Sequence, residues 1–196
     1  MDLSKKSVFR IVLIGDPAVG KTSIVNRLHN GVFSPDEQPT IGSTFINYTV
    51  PLENESANLQ IWDTAGEEQY RSVGPIYYKR AQAAIIVYDV TIKETFTNLS
   101  YWITEFKNAS KCQNDDIFIV GNKVDLIEHR QVEHESGKQF ASTNGFNYLE
   151  TSAKTGEGVV PLFQSIANHC LSSNHILDTS PNVAISQQPQ QQTWCC

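Results

Sequence analysis

The run Gly15-Asp16-Pro17-Ala18-Val19-Gly20-Lys21-Thr22 fits the pattern G-x-x-x-x-G-K-[ST], whose chemistry is the holding of a phosphate chain. Its glycines let the backbone curl so that successive N–H groups point at one anion, which makes Asp16, Ala18, Val19, Gly20, Lys21, Thr22 and Ser23 candidate ligand-binding positions. Lys21 supplies a cation for the β- and γ-phosphates. The Thr22 hydroxyl is a ligand for Mg²⁺, and a helix opening here adds partial positive charge.

A second group lies about a hundred residues on, at Asn122-Lys123-Val124-Asp125. A carboxylate at Asp125 accepts two hydrogen bonds from guanine, one from N1–H and one from the exocyclic amine. Adenine lacks that donor pair and would leave the carboxylate unpaired. The aliphatic stem of Lys123 offers a surface for the base to stack on. The two groups together select GTP or GDP over adenine nucleotides.

These residues need strands and helices to hold them. Val8 to Ile14 is a mostly apolar run broken by Arg10, which predicts a buried parallel strand leading into the phosphate loop. Ala83 to Tyr88 and Ile117 to Val120 are further such runs. Phe96, Leu99, Ile103 and Phe106 repeat at helical spacing, as do Val159, Phe163, Ile166 and Cys170. Thr91 and Glu94 have capping-box spacing ahead of the first helix, and Asn144-Gly145 stops a helix running from about Glu133. Thr44 to Val50 and Leu59 to Trp62 predict an antiparallel hairpin with its turn in Asn54 to Asn58. Strands alternating with helices give an α/β doubly wound sheet with the phosphate site at the carboxyl ends of its strands.

The 196 residues suit one such domain plus a short tail. The net charge of −6 disfavours nucleic acid or an anionic membrane as a general partner. No stretch reaches the roughly 18 apolar residues of a membrane span. Of the four cysteines, Cys112 and Cys170 are scattered and read as reduced and buried or idle, while Cys195 and Cys196 are adjacent at the end. The five histidines lack metal-ligand spacing and read as surface residues. From Ser172 to Trp194 the chain is mostly Ser, Asn, Gln, Pro and Thr, which predicts a disordered tail over 172–196 after a folded domain over 1–171.

With these motifs in hand, the chain from about Val8 to Leu171 resembles the small GTPases of the Ras superfamily, and most closely the Rab family. The likeness to Rabs is carried by Ile41 to Phe45, Leu59 to Gly66, Tyr77-Tyr78, Ile86 to Thr91 and Phe96 to Ile103. It implies a P-loop G domain with a six-stranded, mostly parallel sheet flanked by helices, and a monomeric GTP/GDP switch in vesicular trafficking. In Asp63-Thr-Ala-Gly66 it implies that Asp63 holds Mg²⁺ through water and that the Gly66 N–H contacts the γ-phosphate. Thr40 resembles the threonine that ligates Mg²⁺ only with GTP, Phe33 the aromatic ring beside guanine, and Ser152-Ala153-Lys154 the loop that closes over the base. Phe45, Trp62 and Tyr77 read equally as core packing and as part of an effector-facing surface. The resemblance further implies an exchange factor, a GTPase activator, effectors, and a GDP-dissociation inhibitor or escort protein. The terminal Cys195-Cys196 resembles a doubly geranylgeranylated end, which places the chain on the cytoplasmic face of intracellular membranes, cycling with the cytosol.

Two residues depart from the family pattern. Glu67 stands where the catalytic glutamine is usual, and Pro17 stands where Gly or Ser is usual. The catalytic set implied here is Lys21, Gly66 and Glu67, with a slow intrinsic rate. The alternative is a GTP-binding interaction module that turns over little. A P-loop kinase using ATP is a third reading, opposed by Asn122 to Asp125 and by the lack of a lid segment.

Overall fold

Val8–Ile14 forms the expected strand, β1, and the sheet is built outward from it. A computed structural model describes residues 8–53, 55–66 and 74–173. Glu67, Cys195, Cys196 and the tail beyond Ser173 lie outside the described residues.

The six strands are β1, β2 (Ser43–Pro51), β3 (Ser56–Thr64), β4 (Ala83–Asp89), β5 (Ile117–Asn122) and β6 (Asn147–Thr151), in the order β2-β3-β1-β4-β5-β6. β2 and β3 pair antiparallel, and every other neighbouring pair is parallel. The helices are α1 (Lys21–Asn30), α2 (Gly74–Tyr78), α3 (Lys93–Thr97), α4 (Leu99–Ala109), α5 (His134–Asn144) and α6 (Val159–Ser172).

Alternation along β1 feeds two cores. Phe9, Ile11 and Leu13 pack with Ile24 and Leu28 of α1 and with Leu162, Phe163 and Ile166 of α6. Val12 and Ile14 face the other way, onto Trp102 and Phe106 of α4, Tyr78 of α2 and Ala141 of α5. Both faces of a parallel strand are buried, which is why β1, β4 and β5 read as nearly unbroken apolar runs. The six-stranded doubly wound sheet is therefore as expected, and Gly145, at φ 71°, stops α5 where the sequence placed the stop.

Several local expectations are corrected. β3 begins at Ser56, inside the expected turn, because Ala57 is fully buried opposite Val50. The helix expected through Phe96 and Phe106 is divided at Asn98 into α3 and α4. Thr91 does not cap it: its hydroxyl and its N–H both turn back to Asp89 Oδ1, at 2.6 and 2.8 Å. The charged Asp89 acceptor two residues away holds both Thr91 donors and keeps the side chain turned from the helix. His169 is not a simple surface residue, since its Nε2 lies 2.9 Å from the buried Asp116 carboxylate.

Candidate nucleotide-binding site

The carboxyl ends of β1, β3 and β5 open on one cleft of about 590 Å³. Ala18, Gly20, Lys21, Thr22, Ser23, Phe33, Thr40, Gly66, Asn122, Lys123, Asp125, Ala153 and Lys154 line it, so residues spread over most of the chain meet in one place. Pro17 lines it as well.

At one end, β1 delivers the chain into the loop that starts α1. Gly20 sits at φ 96°, and a Cβ there would meet Asn122 Nδ2 at 2.3 Å. Lys21 is buried, and its ammonium donates to Gly15 O at 2.9 Å and Asp16 O at 2.8 Å. Burial pushes its pKa down to about 8, opposed by the Asp63 and Asp16 carboxylates. Gly66 touches the loop from the far side: a Cβ on it would lie 2.6 Å from Gly15 O, Asp16 C and Pro17 N. Only a residue without a side chain lets the end of β3 lie this close.

Three oxygens converge beside Lys21. Thr22 Oγ1 is 2.6 Å from Thr40 Oγ1 and 2.7 Å from Asp63 Oδ2. The other Asp63 oxygen, Oδ1, is buried and has no hydrogen-bond partner. Burial raises the Asp63 carboxyl above its usual range, with the Thr22 hydroxyl and the Lys21 ammonium pulling the other way.

At the opposite end, Asn122 ties three segments together. Its Nδ2 donates to Val19 O at 2.8 Å, and its Oδ1 accepts from Thr151 Oγ1 at 3.1 Å and Ala153 N at 3.2 Å. Ser152 Oγ donates to Asp125 Oδ1 at 2.6 Å, and Lys154 Nζ is 3.9 Å from Asp125 Oδ2. Lys123 is held by an ion pair of 2.6 Å with Asp89. Among the described residues, only Ala18 and Lys123 combine a side chain with positive φ, at 59° and 70°, and both line the cleft. Backbone strain of this kind gathers where a site needs a particular geometry.

The expectation for Asp16 rests on its backbone N–H, and its side chain is engaged elsewhere. Its carboxylate turns away from the anion side and accepts from Asn98 Nδ2 and Trp102 Nε1, each at 2.8 Å. Any role for Asp16 toward a phosphate is left to its backbone. Val19, Asp63 and Ser152 act from just behind the lining residues. Sequence reasoning gave no site role to Asn98 and Trp102, which brace the loop, or to Asp89, which aims Lys123. It also passed over Arg27, which holds the backbone of the Ala153 loop. No local signal marked Asn98 or Trp102, which lie beside the apolar period at Phe96, Leu99, Ile103 and Phe106 rather than in it. Trp102→Phe keeps an aromatic ring but deletes the Nε1 donor together with part of the buried indole volume. It is expected to lower stability by about 1–2 kcal/mol, read from urea midpoints with nucleotide in excess. An unchanged midpoint would show that the bond adds nothing net.

A strand–loop–helix that carries the buried Lys21 into a cleft at the carboxyl ends of the strands defines a P-loop protein. The comparisons agree. The Ras family model matches residues 10–172. The chain is 38% identical over 191 residues to "Ras-related protein Rab5A" of Oryza sativa subsp. japonica, covering 95% of this chain and 94% of that protein. The chain belongs to the Ras family, as a Rab-type small GTPase.

Proposed function

We propose that this GTPase is a GTP/GDP switch of vesicular membrane trafficking whose GTP state is built around Thr22, Thr40 and Asp63. The convergence of those three oxygens, with Asp63 Oδ1 buried and unpartnered, carries the reading. An all-oxygen set of two hydroxyls and a carboxylate suits a hard divalent cation such as Mg²⁺. Thr22 and Thr40 would hold it directly and Asp63 through water. When bound, Mg²⁺ supplies positive charge against the β- and γ-phosphates. Lys21 and the N–H groups from Ala18 to Ser23 hold the phosphates, and Gly66 offers its N–H to the γ-phosphate. Phe33 and Lys123 sandwich the base, Asp125 reads it, and Ser152, Ala153 and Lys154 close over it. Loss of the γ-phosphate frees Thr40 and Gly66 together, which changes the surface offered to effectors, activators and exchange factors. Competition of GTP against ATP for the loaded chain tests the base choice, and equal affinity would overturn it.

Glu67 bears on the rate. It follows Gly66 directly in the sequence, where the family pattern has glutamine. A glutamine there both accepts from the attacking water and donates toward the phosphoryl group, whereas an ionised carboxylate only accepts. At about 4 Å and an effective dielectric near 20, its repulsion with the phosphoryl is about 4 kcal/mol per unit charge, partly offset by Lys21. Intrinsic hydrolysis is expected to be slow and to quicken in Glu67→Gln, measured in single turnover without an activator. A wild-type rate equal to or above the variant's would defeat the charge argument.

The membrane part of the proposal rests on Cys195 and Cys196 as prenyl acceptors. Two lipids anchor stably where one is marginal, and 172–196 has no Lys or Arg to add electrostatic attraction. Replacement of both cysteines by serine is expected to move the protein wholly into the soluble fraction of its own cells. Continued sedimentation with membranes would identify a protein tether instead.

A further inference from the structure

Arg27, in the last turn of α1, makes no ion pair among the described residues and spends its guanidinium on main-chain carbonyls. Nε donates to Ala153 O at 2.8 Å, Nη1 to Gly31 O at 2.7 Å, and Nη2 to Lys154 O. The acceptors belong to two separate walls of the cleft. Ala153 and Lys154 line its base end, and Gly31 caps α1 two residues before the lining residue Phe33. Ala153 is held on both sides, its N–H by Asn122 and its carbonyl by Arg27. Gly31 is tied twice to the same residue, since its own N–H donates to Arg27 O at 3.1 Å. A planar fork of fixed donors suits carbonyls on two segments at once, and a lysine ammonium at this position could not span them equally.

We propose that Arg27 is the positioning residue that sets how long the nucleotide stays bound, by clasping the Ala153-Lys154 loop to the Gly31–Phe33 segment. The proposal rests on the guanine-nucleotide reading of the cleft. Arg27 lines neither the phosphate end nor the base end, so its effect passes through the loop it orders. A closed loop must open before the base leaves, and losing the clasp makes opening easier. Entry precedes loop closure, so association changes little. The clasp also gives an exchange factor a handle: drawing the Gly31–Phe33 segment outward takes Gly31 O from the guanidinium and loosens the base loop with it.

The test uses the full chain loaded with mant-GDP, chased with excess GDP in Mg²⁺ buffer. Arg27→Met keeps the stem and removes the donors; its dissociation is expected to be about tenfold faster, as charge-assisted hydrogen bonds to two segments are lost. Arg27→Lys should fall between the two. Association is expected to stay within about threefold of wild type, the scatter usual among variants of one site. The ratio of dissociation rates should persist after Mg²⁺ is chelated, because the clasp acts at the base end. A lowered unfolding midpoint with an unchanged dissociation rate would assign Arg27 to stability alone and overturn the proposal. If Arg27→Met does not fold, Arg27→Lys carries the test, and a wild-type dissociation rate there overturns it. A wild-type chain that fails to retain mant-GDP overturns the nucleotide reading and the clasp with it, whereas retention with unchanged variants overturns the clasp alone.

Discussion

Asp125→Asn is expected to weaken GTP binding by about 100-fold or more and to move preference toward xanthine nucleotides. Two hydrogen bonds to a charged acceptor are each worth about 1.5–3 kcal/mol, and every 1.4 kcal/mol is tenfold in affinity. The carboxylate is already oriented, with Ser152 Oγ at 2.6 Å on one oxygen and Lys154 on the side of the other. In the proposed reading N1–H and the exocyclic amine of guanine would both donate to it. An asparagine offers one acceptor and one donor, so the amine of guanine meets an N–H while the carbonyl of xanthine finds a partner. Displacement of mant-GDP by GTP and by xanthosine triphosphate measures both changes. An unchanged GTP affinity with no gain for xanthosine triphosphate would remove Asp125 as the base reader.

Thr22→Asn is expected to turn the chain toward GDP, raising the GDP-to-GTP affinity ratio by about tenfold or more, the scale of one lost charge-assisted contact. Thr22 Oγ1 lies between Thr40 Oγ1 and Asp63 Oδ2, at 2.6 and 2.7 Å. The longer amide fills that gap and donates to Asp63, which ties up the carboxylate and separates it from Thr40. In the proposed reading GTP would depend on this cluster more than GDP would, because only GTP carries a γ-phosphate to face Thr40. Nucleotide competition gives the ratio directly, and an unchanged ratio would sink the assignment.

What the sequence made legible is what depends on near neighbours or on strict pattern. β1, β4 and β5 announce themselves because burial on both faces demands unbroken apolar runs. α6 does so because its buried residues keep helical spacing. The phosphate loop is legible because Gly20 and Gly66 have no alternatives at contacts of 2.3 and 2.6 Å. Other features depend on partners far along the chain. Asp16 is turned by Trp102, 86 residues away, and Arg27 meets Ala153 at a separation of 126. No local pattern encodes either. β6 escaped individual notice because Asn147 to Glu150 are only partly buried at the sheet edge and so lack an apolar run. The division at Asn98 was invisible for a related reason: the apolar period runs straight through it, while its side chain leaves to hold Asp16.

The strand order has a consequence for how the chain reaches its native state. β1 is the first strand to leave the ribosome, yet its partners start at Ser56 and Ala83, with Val8 opposite Asn58 and Ile11 opposite Ala83. β2 and β3 are consecutive strands joined by a short turn; theirs is the one antiparallel pairing among the described strands, and it can zip early as a hairpin. The central strand must therefore wait, apolar and unpaired, until the hairpin and then β4 arrive to dock on either side. Each docking closes a long loop before any contact rewards it, which slows folding and leaves β1 open to wrong partners meanwhile. Synthesis at roughly 5–20 residues per second makes the wait several seconds long. A newly made chain is thus expected to lean on chaperones during that interval, and substitutions that make Val8 to Ile14 stickier should lower yield without altering the finished fold.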